Sequence, residues 1–427
     1  MYKLGGVVMY IKSMRLVNYR GIEDLQVNFC DGVNLIIGKN GAGKSSLLGG
    51  ISIVLSRLFS FAEGIGVKEI RKDEIRTIST LSGSVTEIVE YCMPVSISCK
   101  LEFFGTDYEY TCQKDNEAST VTQDNYDASR KMKDILNDKE ASVPLLSYLR
   151  DERQFFTVKK EVNRPVGQIE RRQGYKNCLN GTASVDAIQD WCAQMDYAGY
   201  RLGHEAVEYI LFKKIVSSFI TVLEEKKNIR VEFSPKQNRL VYVDGESGYQ
   251  VHNLSAGYQS ALCLVMELAY RTALLNPTLD SAETLEGIVA IDEIDMHLHP
   301  RWQWKILVAL RSTFPRVQFI IATHSPIVIS SAEKAKLLLM KTPNEVKESP
   351  NAYGYNVGDV LELTQDSVEM PQELKNLRQE IEHALDDNDL AKAEEIIQSS
   401  AKELGQDSFV VQRLREFLEV NKWIVEE

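Results

Sequence analysis

A glycine-rich stretch near the start of the chain constrains the fold more than any other feature of the sequence. The run Gly38-Lys39-Asn40-Gly41-Ala42-Gly43-Lys44-Ser45 fits the pattern G-x-x-x-x-G-K-[ST]. It follows the apolar run 33–37, which is typical of a buried strand, and it precedes a helix-like segment that begins at Ser46. The pattern therefore predicts a strand, a loop and a helix in direct succession, the context of a phosphate-binding loop.

The residue types of this loop suit a polyphosphate. Glycines allow the backbone to wrap around an anion, so that consecutive amide groups and the positive end of the next helix face the negative charge. Lys44 is predicted to reach the β and γ phosphates, and Ser45 is predicted to coordinate Mg²⁺. The alternative is a glycine-rich turn without a ligand, but a Lys-Ser pair at this spacing has no packing purpose.

Composition narrows the class of protein. A chain of 427 residues with 44% hydrophobic content can bury a large core in two or three domains. No apolar run approaches the roughly 20 residues of a membrane span, and residues 1–10 lack a secretory signal, so we expect a cytoplasmic protein without a membrane partner. The seven cysteines show no C-x-x-C spacing, which indicates neither disulfides nor a zinc site.

Charge bears on the partners. The net charge of −12 disfavours a uniformly basic nucleic-acid binder. Two basic stretches, 68–72 and 159–172, leave nucleic acid open as a partner, although a solvated charged face is the simpler interpretation of both.

Apolar periodicity predicts the order of the elements. Alternation at 11–19 and 25–29 predicts antiparallel strands before the loop, and 94–104 with 108–112 predicts a hairpin that turns at 105–107. In the tail, an acidic turn at 387–389 is predicted to cap a helix. The patterns divide the chain into an N-terminal lobe with the phosphate loop (9–126), a mainly helical insertion (127–228), a second lobe (229–345) and a small C-terminal helical module (346–427).

Three further motifs follow in the second half of the chain. Leu254-Ser255-Ala256-Gly257 places a serine and a glycine at a helix start, which is a second place where an anion can bind. An apolar strand ends at Asp292 and Glu293, the expected Mg²⁺ carboxylate and the expected general base for an attacking water; the alternative is a helix cap. Another buried strand ends at His324, which is predicted to contact the γ-phosphate, with a structural histidine as the alternative.

The order of these motifs resembles that of the ABC ATPase superfamily, and within it the SMC and RecF group together with the overcoming-lysogenization-defect nucleases. The resemblance runs from residue 9 to about 341. It implies an α/β fold, an ABC-type P-loop NTPase head with a mixed β-sheet, to which the patterning adds an inserted helical subdomain and the small C-terminal helical module. It also implies ATP and Mg²⁺ as cofactors and ATP hydrolysis as the activity.

In this superfamily the L-S-x-G loop of one protomer completes the γ-phosphate site of another. By this resemblance Ser255, Ala256 and Gly257 are expected to act across an interface between two copies. The phosphate loop, the Asp292–Glu293 pair and His324 are expected to act within one copy.

Three more features fit the same resemblance. Asn18-Tyr19-Arg20-Gly21 matches the N-[FY]-R-[GS] entry signature of the family, which implies that Arg20 contacts phosphate. Gln154 is the nearest candidate for the lid glutamine, a further Mg²⁺ ligand. The segment 295–300, D-M-H-L-H-P, resembles the dimer-contact loop of these proteins. A metal site at its two histidines is the alternative, but no third ligand is in view.

Spacing separates the members of the superfamily. The L-S-x-G motif begins 210 residues after Lys44, which exceeds the separation in transporter subunits. The intervening sequence contains prolines and glycines and sustains no heptads, which excludes a long coiled-coil arm. About a hundred residues follow His324, and their pattern is helical, unlike the metal-dependent domain of the overcoming-lysogenization-defect nucleases.

Short stretches outside the nucleotide motifs are similar to the ATPase family of the Septu antiphage defence system, PtuA. They are P-L-L-S-Y at 144–148, R-Q-G-Y at 172–175 and L-G-x-D at 404–407. Such stretches also recur in defence-associated ATPases found with retrons. The resemblance implies a regulatory ATPase that forms a homo-oligomer and controls an HNH-type nuclease partner. The alternative is a RecF-like DNA-repair ATPase that clamps DNA as an ATP-dependent dimer.

Overall fold

The computed structural model describes residues 9–82, 86–150, 170–183, 185–360, 372–386 and 389–406, and part of the stretch 408–419. The chain divides into two units, Met1–Gln365 and Asp366–Glu427. The strands are β1 (Met9–Tyr19), β2 (Ile22–Asn28), β3 (Val33–Ile37), β4 (Thr77–Ser82), β5 (Thr86–Tyr91), β6 (Val95–Phe103), β7 (Thr106–Lys114), β8 (Thr122–Gln123), β9 (Leu145–Leu149), β10 (Ile229–Ser234), β11 (Arg239–Asp244), β12 (Ser247–Gln250), β13 (Glu286–Ile291), β14 (Arg316–Ala322), β15 (Ala335–Thr342) and β16 (Glu345–Ser349).

The α-helices lie between groups of these strands in the chain. In the first unit they are α1 (Lys44–Ser56), α2 (Asp127–Asn137), α3 (Val185–Leu202), α4 (Val207–Glu224), α5 (Ala256–Leu275), α6 (Pro300–Gln303), α7 (Ile306–Thr313) and α8 (Pro326–Ser330). In the second unit they are α9 (Gln372–Asp386) and α10 (Leu390–Leu404). Among the described residues, no helix combines the length and the apolar character that a membrane crossing needs.

A six-stranded mixed sheet lies at the centre of the first unit. Its strand order is β16-β15-β3-β14-β13-β9, and all neighbours are parallel except β15 and β16. Every residue of β3, β9 and β13 is buried, as expected for parallel strands that are covered on both faces. Because β14 lies between β3 and β13, the carboxyl ends of these three strands meet at one edge of the sheet.

The two faces of this sheet belong to two hydrophobic cores. Val33, Leu35 and Ile37 of β3 point into a core built with α3, α4, α5 and α7, whereas Ile36 points into a core built with α1 and the antiparallel sheet β2-β1-β6-β7-β8. This alternation follows from the two-residue period of a strand. The helix after the phosphate loop is therefore packed between two sheets.

A buried glutamine joins these two sheets. Gln318 on β14 is fully buried, and its Oε1 accepts a hydrogen bond from the amide of Ile11 on β1 at 2.9 Å. Its Nε2 donates to the carbonyl oxygens of Ile11 at 3.0 Å and of Cys30 at 2.7 Å. Since a buried amide must find such partners to avoid a desolvation penalty, Gln318 fixes the position of β1 on the central sheet.

The predicted hairpin of β6 and β7 is confirmed, but its turn is shorter than predicted. The turn consists of Phe104 and Gly105, whose φ angles are 54° and 71°. Two consecutive positive φ values give a two-residue turn whose twist matches that of the flanking strands. Thr106 and Asp107 therefore already belong to β7, where they pair with Phe103 and Glu102.

The described residues of 127–228 are mostly helical, but they also supply an edge strand to the central sheet. β9 pairs in parallel with β13, and α3 and α4 share one core with α5. At the other end, β16 pairs with β15, so the small unit begins at Asp366 and not at 346. Local composition does not reveal these boundaries, because strand pairing is decided by distant segments.

The second unit contains the helices α9 and α10, in agreement with the helical character predicted for the C-terminal module. The side chain of Asp389 accepts a hydrogen bond from the amide of Lys392 at 3.0 Å and caps α10, and Gly405 ends this helix with a φ of 93°. This confirms the capping role predicted for the acidic turn at Asp389; the other two residues of that turn lie outside the described residues. Ile381, Ile397 and Val411 belong to the separate core of this unit.

The central helix α5 carries a buried ion pair. Glu267 and Arg271 are 0% and 1% exposed, and Nη2 of Arg271 lies 2.5 Å from Oε1 of Glu267. Nη1 of Arg271 also donates to the carbonyl oxygens of Gly174 at 2.6 Å and of Lys176 at 3.1 Å. The pair therefore connects α5 to the R-Q-G-Y turn.

We expect Glu267→Leu to lower the free energy of unfolding by about 3–5 kcal/mol, because it leaves the buried guanidinium without its carboxylate. Leucine is as good a helix former as glutamate, so helix propensity is not changed. Urea unfolding monitored by circular dichroism measures the effect. Glu109→Thr, which removes an exposed partner of Lys100, is the control and should change stability by less than about 1 kcal/mol. An equal effect of both substitutions would contradict the assigned role of the pair.

Candidate functional site

The phosphate loop connects β3 to α1. Gly38, Gly41 and Gly43 have φ angles of 145°, 80° and 96°, values that residues with side chains rarely adopt. A Cβ atom on Gly38 would lie 2.2 Å from the carbonyl oxygen of Met340 on β15. The glycines therefore permit both the sharp turn and the close packing of the loop on the sheet.

The first turn of α1 faces the same loop. The amides of its first three residues have no acceptor within the helix, because the preceding residues belong to the loop, whereas the amide of Leu47 donates to the carbonyl oxygen of Gly43 at 3.0 Å. Gly43 precedes the helix in a left-handed conformation, Ser45 is exposed and Ser46 is half-buried. With no acidic residue in this turn, the amides and the helix dipole favour an anion.

The side chain of Lys44 is hydrogen-bonded to the backbone of the phosphate loop. The residue is only 5% exposed, and its Nζ donates to the carbonyl oxygens of Gly38 and Lys39, both at 3.0 Å. Burial lowers the pKa of Lys44, whereas the nearby carboxylates of Asp292 and Glu293 act in the opposite direction. The ammonium group therefore lies between the loop backbone and the acidic pair.

A cleft of about 530 Å³ joins motifs that are distant in the sequence. Its lining includes nine of the predicted site residues, which are Asn40, Gly41, Gly43, Lys44, Ser45, Ser46, Asp292, Glu293 and His324. They meet because β3, β13 and β14 end at the same edge of the sheet. Gly38, Lys39 and Ala42 belong to the loop but are not among the described residues that line the cleft.

Two residues that line the cleft, Gly21 and Pro343, were not among the predicted site residues. Pro343 lies in the turn between β15 and β16, and its Cγ is 3.8 Å from the position of a Cβ on Gly21. The next residue, Asn344, accepts a hydrogen bond from the amide of Glu23 at 2.7 Å. A proline in a strand turn carries no sequence signal for ligand binding, because only tertiary packing brings it to the cleft.

The acidic pair stands at the end of β13. Asp292 is 4% exposed, and its amide donates to the carbonyl oxygen of Leu149 on β9 at 2.7 Å. Glu293 is half-buried and has a φ of 47°, a left-handed conformation that costs about 1–3 kcal/mol in a residue with a side chain. The hydrogen bonding between β13 and β9 therefore continues to Asp292, and the backbone changes direction at Glu293. The two carboxylates thus project from different backbone conformations.

His324 follows β14 and is half-buried in the cleft. Burial and the charge of Lys44 lower the pKa of its imidazole, while Asp295 acts to raise it. A lowered pKa favours the neutral form of the ring, in which one nitrogen donates and the other accepts. Its loop is anchored on both sides: Thr323 donates through its hydroxyl to Asp295, and the amide of Ser325 donates to Thr323 Oγ1 at 3.1 Å.

The segment 255–257 does not line this cleft among the described residues. Ser255 is exposed at the N-terminus of α5, and Ala256 beside it is exposed too. A Cβ on Gly257 would lie 2.9 Å from the carbonyl oxygen of His297, so the glycine allows α5 to pack against the D-M-H-L-H-P segment. The two motifs that resemble interface elements therefore lie side by side.

Arg20 is bound to Glu74 and is not among the described residues that line the cleft. Its Nη2 lies 2.7 Å from Oε1 of Glu74, and its amide donates to the carbonyl oxygen of Glu74 at 2.7 Å. Contact between Arg20 and phosphate stays a prediction. Gln154 lies outside the described residues.

The donors present in the cleft suit Mg²⁺. Ser45 and Asp292 supply the hard oxygen atoms that this ion prefers, and it commonly combines one or two protein ligands with substrate phosphates. In the described part of the chain, no three His, Cys, Asp or Glu side chains converge on a metal position. His297 and His299 therefore have no third ligand of these types there.

Comparison with known proteins defines the class. Residues 9–144 match AAA_15, an AAA ATPase domain, and residues 195–330 match AAA_21, an AAA domain described as a putative AbiEii toxin of a type IV TA system. The phosphate loop lies in the first match, and the L-S-x-G motif, the acidic pair and His324 lie in the second. The protein is an ATPase with a phosphate-binding loop and an α/β fold.

Its relatives extend over most of the chain. The Retron Vc95 probable ATPase of Vibrio cholerae serotype O1 biovar El Tor is 27% identical over 414 residues, 84% of this chain and 79% of the relative. Septu protein PtuA of Bacillus thuringiensis is 23% identical over 381 residues, 84% of each chain. A solved SMC head bound to the C-winged helix domain of ScpA is 16% identical, covers 80% of this chain and 97% of that chain, and has a TM-score of 0.47.

We expect Glu293→Gln to reduce ATP hydrolysis by about 100-fold or more, because the amide cannot accept a proton from the attacking water. ATP binding should be retained, since the phosphate loop is unchanged. Phosphate release and nucleotide binding are measured separately. Glu283→Gln, at an exposed position before β13, is the matched control and should behave like the wild type. Normal turnover of Glu293→Gln would exclude Glu293 as the base.

Proposed function

We propose that this protein is a regulatory ATPase of an antiphage defence system, of the type represented by the Septu and retron ATPases. The observation that carries the proposal is the extent of the similarity. The relatives match 84% of this chain, which includes regions outside the nucleotide motifs. A general P-loop ATPase would share the motifs alone.

The cleft supports ATP binding and hydrolysis in one arrangement. The triphosphate lies against the loop amides and the N-terminus of α1, where Lys44 supplies positive charge. Glu293 is the general base for water, and the neutral His324 hydrogen-bonds the γ-phosphate. Mg²⁺, held by Ser45 and Asp292, would neutralise charge on the phosphates.

The position of Ser255 supports a site shared between two copies of the chain. Ser255 is exposed and is not among the described lining residues of its own cleft. The anion that we assign to the N-terminus of α5 is the phosphate bound by a second copy. ATP binding then favours a homo-oligomer in which two heads close on each other.

The activity that this ATPase would regulate belongs to a partner protein. By resemblance to the Septu ATPases, we assign nucleic-acid cleavage to an HNH-type nuclease bound to this protein. ATP binding and release then change the assembly that restrains or licenses the nuclease, because a ligand that prefers one quaternary state shifts the population toward it.

Mixing two inactive variants tests the shared site. Ser255→Arg disables the helix end that one copy donates, and Lys44→Ala disables the loop that the other copy uses. Each variant alone should be inactive, but an equal mixture should recover hydrolysis, because random pairing leaves about one site in four intact. Phosphate release by the mixture is compared with that of each variant. A complete lack of recovery would contradict the composite site.

Pull-down and phage challenge test the assigned role. The tagged protein, expressed with its neighbouring genes, should retain an HNH-type nuclease, and Lys44→Ala should abolish protection of the host. A RecF-like DNA clamp instead predicts duplex DNA binding that weakens steeply with salt, because neutralised phosphates release counterions. Salt-dependent DNA binding together with protection that does not need the nuclease would favour this alternative.

A further inference from the structure

One side chain holds the turn that precedes α5. Gln259 lies in the first turn of this helix and is only 9% exposed. Its Nε2 donates to the carbonyl oxygen of Leu254 at 2.8 Å and to that of His252 at 3.1 Å. Both carbonyl groups belong to the short turn that leads into Ser255. The two amide hydrogens of Gln259 are thus directed at the segment immediately before the signature serine.

Ser255 itself contributes little to the position of this turn. Serine is a favoured N-cap residue, yet none of the described amides in the first turn of α5 donates to its side chain. Its backbone is extended, with φ −61° and ψ 157°. The direction in which the Ser255 hydroxyl projects therefore depends on the backbone of 252–255, and the amide of Gln259 fastens that backbone.

Two further contacts lie close to the turn and to the start of α5. Nη1 of Arg239 lies 3.1 Å from the ring nitrogen Nε2 of His252, on the other side of the turn. The ring of Tyr258 packs against Trp302 with their centroids 4.4 Å apart. These contacts hold the ring of His252 and the helix, but the two carbonyl groups are held by Gln259.

In the contact between Gln259 and the turn, the side chain acts only as a hydrogen-bond donor. The Gln259 amide uses its NH₂ group, while its Oε1 is buried and makes no hydrogen bond within the described part of the chain. A side chain of similar length without N–H groups cannot make either bond, and a flexible side chain with several N–H groups can make both. Substitutions can therefore separate the hydrogen bonds from the packing of the same side chain.

We propose that Gln259 is a positioning residue of the composite ATP site. Gln259 holds the 252–255 turn so that Ser255 meets the γ-phosphate bound by a second copy. This inference rests on the proposed function, because it requires a site shared by two protomers. Gln259 does not line the cleft of its own chain among the described residues. Its loss should therefore affect the site of the partner and spare its own phosphate loop.

Two substitutions measure the role of the hydrogen bonds. Gln259→Met keeps the length and the helix propensity but removes the donors, and Gln259→Lys supplies donors again. We expect Gln259→Met to lower ATP turnover by about tenfold or more, since a misplacement of about 1 Å can cost a hundredfold in rate. Gln259→Lys should recover most of the turnover. ATP affinity at the phosphate loop and the unfolding temperature should match the wild type in both variants.

Mixing experiments decide where Gln259 acts. An equal mixture of Gln259→Met and Lys44→Ala should recover turnover, because the defects lie in opposite halves of a shared site. A mixture of Gln259→Met and Ser255→Arg should recover nothing, because both defects lie in the same half. The reverse pattern would show that Gln259 acts on its own cleft and would overturn the inference.

The outcomes also separate this inference from the proposed function. If Lys44→Ala and Ser255→Arg complement each other but Gln259→Met keeps full turnover, the composite site stands and the role of Gln259 is refuted. If Lys44→Ala and Ser255→Arg do not complement each other, the composite site fails and the inference fails with it. A fall in unfolding temperature that accounts for the whole loss of turnover would reduce Gln259 to a structural role.

Discussion

Parallel pairing of β14 with both β3 and β13 is the constraint on which the rest of the site depends. It aligns the carboxyl ends of three strands, so the phosphate loop, the Asp292–Glu293 pair and His324 reach one cleft from positions nearly 300 residues apart in the chain. Hydrophobic cores on both faces of the sheet hold this alignment. Residues that bind or react are carried by the loops at the sheet edge, where side chains can leave the packed interior.

The same architecture separates the nucleotide cleft from the L-S-x-G motif. α1 begins at the phosphate loop and packs between two sheets, whereas α5 lies in the core on the opposite face of the central sheet. Every residue of α5 from Gln259 to Leu275 is buried, so only its first residues reach the surface. A helix so constrained presents Ser255 from a rigid base. The proposed composite site would use this rigid base, because the position of Ser255 would then be set before two copies associate.

Local patterns predicted much of the fold, and tertiary contacts accounted for the rest. The strand before the phosphate loop, the helix behind it, the start of α5 and the cap of α10 follow from apolar periodicity and capping residues. The turn of the β6–β7 hairpin and the start of the second unit at Asp366 differ from the prediction. The pairing of Arg20 with Glu74 and the approach of Pro343 to the cleft could not be predicted, because neither contact has a sequence signature.

The motifs and the order of the elements were therefore readable from the residues alone, because glycine conformations, strand periods and helix caps act over a few neighbouring positions. Which strands pair, which face of each helix is covered, and which carbonyl groups Gln259 holds were decided by the folded structure. These contacts join segments that are far apart in the chain, and their free energy depends on the complete packed core and not on any single segment.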